Sequence, residues 1–275
     1  MSTLYVVATP IGNLEDVTLR ALRVLREVKL IAAEDTRKTR RLLTRYEIAT
    51  PMTSYFEHNK LTKLEYILEC LAEGDVALVS EAGTPGISDP GYELVVAAGE
   101  RDIPVVPVPG ASAVVSALSV SGLATDRFTF LGFLPRKAGA RKKLLESVRE
   151  NPGTLIFLES PRRVTDTLHR LLEALGDRKI AVCRELTKLH EEIYRGTISK
   201  ALEHYSEPRG EFTLVVEGGT EKPGPVMSED IESRIKELRD SGATAKEAVA
   251  VLSDETGLPR KEIYSAWIKQ ANHRV

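Results

Sequence analysis

Short apolar runs, each closed by a bend, recur along the first 220 residues, and the stretches between them carry apolar residues at helical spacing. Leu4-Tyr5-Val6-Val7-Ala8 stops at Thr9-Pro10-Ile11-Gly12-Asn13, and Leu30-Ile31-Ala32-Ala33 stops at Glu34-Asp35. Val76-Ala77-Leu78-Val79 enters Ser80 to Gly91, a loop with three glycines and two prolines, and Pro104 to Val108 ends at Pro109-Gly110. Runs that are apolar at successive positions are strands buried on both faces, as in parallel sheets. Thr18 opens a helix on Leu19, Leu22, Val24, Leu25 and Val28, and Leu61 to Leu71, Tyr92 to Ala98 and Val114 to Val120 supply further helices. Strand, bend and helix in alternation predict βαβ units and an α/β fold.

The pattern repeats after Gly122 to Asp126, with strands and their closing turns at 128–135, 154–163, 180–187 and 212–219. It predicts two α/β domains, 1–122 and 123–220, a Pro-Gly linker at 221–228 and a helical module at 229–275. Ile231/Ile235/Leu238, Ala245/Val249/Leu252 and Ile263/Trp267/Ile268 place two or three short amphipathic helices there, in a helix-turn-helix-like layout. Two of the three aromatics Phe128, Phe130 and Phe133 are expected in the core of the strand that holds them.

Composition narrows the classes. A chain of 275 residues with 42% hydrophobic and 28% charged content is that of a soluble globular protein. A formal charge of −2 excludes a wholly basic nucleic-acid coat, so any RNA contact comes from local patches. Cys70 and Cys183 match no zinc or redox spacing, so reduced thiols and no metal are expected. The amino terminus has no basic, long apolar leader and no run reaches membrane-spanning length, which predicts a cytoplasmic protein without a membrane partner.

Candidate chemistry gathers at strand ends, where open α/β sheets bind ligands. The first turn is not GxGxxG, which disfavours a phosphate cradle there. Glu34 and Asp35 follow a strand; Asp35 reads first as the cap of the next helix. Ser112 either caps its helix or opens a helix start that offers backbone N–H groups to a ligand carboxylate. Arg37, Arg41 and Arg45 recur every four residues on one helix face, and Arg136, Lys137, Arg141, Lys142 and Lys143 form the densest basic cluster, beside aromatics. Glu159 and Glu185 stand at strand ends, as substrate-orienting groups or as salt-bridge partners of Arg162 and Arg184.

Taken in order, Ala8-Thr9-Pro10-Ile11-Gly12-Asn13-Leu14, Ala33-Glu34-Asp35-Thr36-Arg37, Ser80 to Gly91, Pro109-Gly110-Ala111-Ser112 and Glu159-Ser160-Pro161-Arg162-Arg163 resemble the tetrapyrrole (corrin/porphyrin) methylase superfamily over the whole chain. The resemblance is to its ribosomal-RNA branch. It implies a homodimer of two-domain αβα subunits with S-adenosylmethionine in the cleft between domains. It also implies methylation of the ribose 2′-hydroxyl of a cytidine in the decoding centre of 16S rRNA, with the small ribosomal subunit as partner. The family's donor-binding positions fall on Pro10, Ile11, Ala82, Gly83, Thr84, Ile87, Ser112, Ala113, Glu159 and Leu186. Base candidates are Glu34, Glu81, Asp89 and Lys60; Arg37, Arg41, Arg136, Lys137, Arg141 and Arg162 are the expected RNA contacts. Thr9-Pro10-Ile11-Gly12 stands where tetrapyrrole-acting members are glycine-rich, and Thr84 where they carry Asp, so the porphyrin branch is disfavoured. Glu81 replaces the Asp usual in the RNA branch. The rival readings are a methylase of a small tetrapyrrole-like ring and a non-enzymatic regulator that reads DNA through its tail.

Overall fold

The structure is a computed structural model that describes residues 2–219 and 227–272. The linker expected at 221–228 falls outside the described residues except for its last two positions, as do the final three residues of the tail. The described chain separates into two compact units, one ending at Gly219 and one holding the C-terminal helices.

The first unit begins with a five-stranded parallel sheet in the order β3-β2-β4-β1-β5, made of Leu4–Val7 (β1), Leu30–Ala33 (β2), Met52–Ser54 (β3), Val76–Val79 (β4) and Val105–Val108 (β5). Every residue of β2 and β4 is buried, as their unbroken apolar runs predict. Alternate residues serve opposite faces. Ile31, Ala33, Ala77 and Val79 pack under α1 (Leu19–Glu27) and α2 (Thr36–Arg45), whereas Leu30, Ala32, Val76 and Leu78 pack under α3 (Lys60–Glu73) and α4 (Tyr92–Gly99). Pro107 sits in β5, at the sheet edge, where a strand tolerates a missing N–H. Because the strands are parallel, the bends after β1, β2, β4 and β5 all emerge at one edge.

The second sheet runs β6-β7-β10-β8-β9: Phe128–Phe133 (β6), Thr154–Glu159 (β7), Lys179–Arg184 (β8), Glu192–Thr197 (β9) and Phe212–Val216 (β10). It is mixed. Only β6 and β7 are parallel; β10 runs antiparallel to both β7 and β8, and β9 antiparallel to β8. One face packs on α6 (Ala138–Val148), α7 (Val164–Leu175) and α8 (Ile198–His204). The other, through Ile156, Ala181, Cys183 and Val215, receives Ala117 and Leu118 of α5 (Ala113–Ser121). α5 follows the last strand of the first sheet and packs on the second, so it joins the two. The expectation for the aromatics is corrected. Phe128 and Phe133 are 43% and 52% exposed, and only Phe130 is half-buried: Phe128 stands at the open start of β6, and a bulge between Phe130 and Gly132 shifts the alternation ahead of Phe133.

The C-terminal unit is three helices, α9 (Glu229–Asp240), α10 (Ala245–Thr256) and α11 (Arg260–Asn272). Its own core contains Ile235, Ala248, Leu252, Leu258, Ile263 and Trp267. A capping box between Thr244 and Glu247 starts α10, and the Arg239 guanidinium lies 4.3 Å from the Trp267 ring centre.

Candidate active site

The carboxyl ends of the parallel strands open onto a cavity of about 750 Å³ whose opposite wall is the second sheet. From the first sheet come Ile11 after β1, Glu34 after β2, Glu81 to Thr84 and Ile87 to Asp89 after β4, and Ser112 to Val115 at the start of α5. From the second come Phe130 and Phe133 of β6, Leu158 to Pro161 of β7 and its turn, Cys183 and Leu186 by β8, and Glu211 to Thr213 by β10.

Backbone contacts hold these bends in register. Thr9 and Gly83 exchange N–H···O bonds of 2.9 and 3.0 Å, which staples the first turn to the central loop. The Asn13 amide donates to Thr187 Oγ1 at 3.0 Å, tying the same turn to the loop after β8. Gly12 is required at that seam. A side-chain carbon there would meet the Leu186 carbonyl and Thr187 Oγ1, each at 2.7 Å.

Of the residues expected to bind the donor, Ile11, Ala82, Gly83, Thr84, Ile87, Ser112, Ala113, Glu159 and Leu186 line the cavity. Pro10 is buried and does not line it. Ser112 occupies the N-cap of α5, but its hydroxyl makes no capping hydrogen bond, so the simple cap reading does not hold. Glu159 is 2% exposed, and its carboxylate accepts hydrogen bonds from the Ser160 amide (2.8 Å) and the Thr167 hydroxyl (2.7 Å), with Arg163 at 3.5 Å. Its salt-bridge partner is thus Arg163 rather than Arg162, and Glu185 pairs with Lys188 rather than Arg184.

The base candidates separate. Glu34, Glu81 and Asp89 face the cavity; Lys60 does not line it and is held by Glu57 at 3.0 Å and Glu93 at 2.5 Å. Glu81 is ion-paired with Lys38. Glu34 accepts the Glu81 amide at 2.8 Å, and burial, with Asp35 beside it, pushes its carboxyl upward against the opposing pull of Lys38. Asp89 is raised to about 7, first by burial and then by the charge of Glu34, with the Ser80 hydroxyl offsetting part of the effect. Asp35 caps α2, accepting from the Arg37 and Lys38 amides at 2.8 and 3.3 Å, as expected. Cys183, in the wall, is pushed up to about 11 by burial and stays a thiol.

The basic residues lie elsewhere. Arg37, Arg40, Arg41 and Arg45 line one open groove on α2 with Leu14, Thr36 and Thr44. Arg141 borders another and bonds Asp166 at 3.3 Å, while Arg136, Lys137 and Arg162 are exposed.

Reading strand ends alone missed Phe212 and Thr213. They begin β10, but β10 is antiparallel, so its amino end lies beside the carboxyl ends of β7 and β8, with Phe212 opposite both Glu159 and Arg184. Phe130 and Phe133 were legible as a cluster next to basic residues but not as cavity wall.

The sequence matches the family described as Tetrapyrrole (Corrin/Porphyrin) Methylases over residues 3–202. It is 49% identical over 272 residues to the Ribosomal RNA small subunit methyltransferase I of Halalkalibacterium halodurans, covering 96% of this chain and 94% of that protein. It is 48% identical to the protein of the same name from Synechocystis sp., covering 96% of each. The fold is similar to uroporphyrin-III-C-methyltransferase from Thermus thermophilus (TM-score 0.56, 21% identity, 79% of this chain and 94% of that one). It is also similar to the methyltransferase CobJ (TM-score 0.62, 20% identity, 79% and 95%). The chain belongs to the tetrapyrrole (corrin/porphyrin) methylase family, in its ribosomal RNA small subunit methyltransferase I branch.

Proposed function

We propose that the cavity holds S-adenosylmethionine and that the chain methylates the ribose 2′-hydroxyl of a cytidine in the decoding centre of 16S rRNA. The observation that carries this reading is one cavity that combines apolar walls, an uncapped helix start and acidic side chains. Ile11, Leu158, Leu186 and Phe212 offer apolar surface for an adenine ring. The first turn of α5, with the Ser112 hydroxyl not spent on capping, offers N–H donors to a carboxylate. Glu34 and Glu81 suit a ligand with positive charge. The donor set therefore fits a zwitterionic sulfonium nucleoside, which supplies an already activated methyl group. The protein's share of the work is then chiefly orientation of the hydroxyl and exclusion of water, worth up to about 7–11 kcal/mol when geometry is ideal.

Arg37, Arg41, Arg136, Lys137, Arg141 and Arg162 are read as phosphate contacts, since exposed guanidinium and ammonium groups fix the register of RNA without reading its sequence. The relatives' name points to the small ribosomal subunit as partner. We further read the first unit as two domains that divide near residue 122, supported by separate hydrophobic clusters on the two sheets, and the active form as a cytoplasmic homodimer. The tetrapyrrole reading draws on uroporphyrin-III-C-methyltransferase structures that are 19–21% identical, which share the fold.

The test is incubation of unmodified small subunits with labelled methyl donor, followed by mapping of alkali-resistant ribose positions. One labelled cytidine in the decoding centre is expected. Label on a free tetrapyrrole, and none on subunits, sinks the reading.

A further inference from the structure

The cavity presents three carboxyl side chains from the first sheet, and their surroundings assign them different work. Glu81 is neutralised by Lys38, and Glu34 accepts the Glu81 amide. Glu211, on the opposite wall, is taken up by Lys188 at 2.9 Å. Asp89 alone of these acids makes neither an ion pair nor an amide hydrogen bond among the described residues. The charged group it feels is Glu34, with Asp35 behind that.

Asp89 is also held still. The loop that carries it turns back on itself, with Gly91 at φ 156° packed so closely that a side-chain carbon would sit 3.0 Å from Leu78 and 3.1 Å from the Gly86 amide. Pro90 fixes the following bond, and Ser88, at φ 67°, abuts Gly132 of β6, where an added carbon would lie 3.3 Å from its Oγ. A non-glycine residue in the left-handed region costs about 1 kcal/mol or more and persists where its surroundings enforce it. The outcome is a carboxyl on a constrained loop, without a cation of its own among the described residues, at the wall of a cavity that also offers apolar and N–H surface.

Resting on the functional reading above, we propose that Asp89 is the general base that takes the proton of the ribose hydroxyl, and that Glu34 is a positioning residue that sets the pH at which it does so. The ribose O–H bond breaks and its proton passes to an Asp89 carboxylate oxygen, the O–CH3 bond forms, and the electron pair of the S–CH3 bond stays with sulfur. The positive charge that began on sulfur ends as the proton on Asp89, which water removes after product leaves. A base whose proton affinity lies near the working pH suits this transfer, and the burial of Asp89 and the charge of Glu34 supply that. Lys60 is outside the cavity and is raised by Glu93 and Glu57, so it remains an ammonium and cannot accept the proton.

The experiment uses the full chain with Asp89→Asn and Glu34→Gln. Carbon-13 NMR titration of aspartate carboxyls, without donor or RNA, identifies Asp89 by the resonance lost in D89N. Its midpoint is expected near pH 7 and is expected to move toward the ordinary carboxylate range in E34Q. Calorimetry with S-adenosylmethionine is expected to show D89N within about threefold of wild type. On small subunits D89N loses about 10²–10⁴-fold in kcat. The acidic limb of the wild-type pH profile is expected to slide to lower pH in E34Q, a displacement that a merely structural role for Glu34 does not produce. Asp89 titrating in the ordinary range, D89N failing to bind donor, or D89N keeping kcat while only KM rises each overturns the assignment while leaving the functional reading standing. Wild-type protein that leaves small subunits unlabelled removes that reading, and this proposal with it.

Discussion

Asp89 and Gly12 show how single positions trade stability for a working site. Because the folded Asp89 carboxyl is raised above its unfolded value, the folded chain holds a proton between about pH 4 and pH 7 that the unfolded chain has released. The stability tied to this group is therefore fully present below the unfolded value and is lost as pH rises through about 7. Asp89→Asn is expected to be more stable than wild type at pH 8, by on the order of 1–2 kcal/mol once solvent screening of this half-buried group is allowed for, with the gap closing near pH 4. Thermal melts at the two pH values check this, at about 2–4 °C per kcal/mol for a chain of this size. Gly12→Ala works the other way. The added carbon meets the Leu186 carbonyl, which is backbone and cannot swing aside, so a loss of about 1–3 kcal/mol is expected together with weaker donor binding. Denaturant midpoints and calorimetry measure the two effects separately.

At the scale of elements, α2 does two things with one sequence. Leu42 and Leu43 bury themselves under the first sheet, while Arg37, Arg40, Arg41 and Arg45 leave the other side of the helix as a basic groove. If that groove holds RNA phosphates, Arg37→Ala with Arg41→Ala is expected to flatten the salt dependence of RNA binding by a slope of about 1.4, two contacts at about 0.7 each. Filter binding at several salt concentrations reads the slope; an unchanged slope removes these arginines from the interface. The strands of the first sheet could be read from the chain because burial on both faces leaves no polar interruption between Leu30 and Ala33 or Val76 and Val79. β9 could not: Glu192-Ile193-Tyr194-Arg195-Gly196-Thr197 is an edge strand with no fully buried residue, so its composition carries little pattern. The antiparallel course of β10 was also hidden, since Phe212 to Val216 is as apolar as any parallel strand. That one reversal sets Phe212 and Thr213, at the amino end of β10, in the cavity wall beside the carboxyl ends of β7 and β8. The acids at strand ends were visible by type, but which of them lacked a cation depended on Lys38, Lys60 and Lys188, whose partners are far along the chain.

For the whole molecule, every residue that lines the cavity lies before Gly219, within the first compact unit. A chain ended at Gly219 is therefore expected to bind S-adenosylmethionine with unchanged affinity, and calorimetry on the shortened protein tests it. No described helix is long and apolar enough to cross a membrane. The joining role of α5 has a reach beyond its own turn. Its first residues border the cavity, and Ala117 and Leu118, a turn further on, are wedged against Ala181, Cys183 and Val215 of the second sheet. Whatever grips the head of that helix must also restrain its flank. Occupancy should accordingly register in strands on the far side of the cleft, as slower amide exchange along β8 and β10, where no ligand atom needs to touch the protected amides.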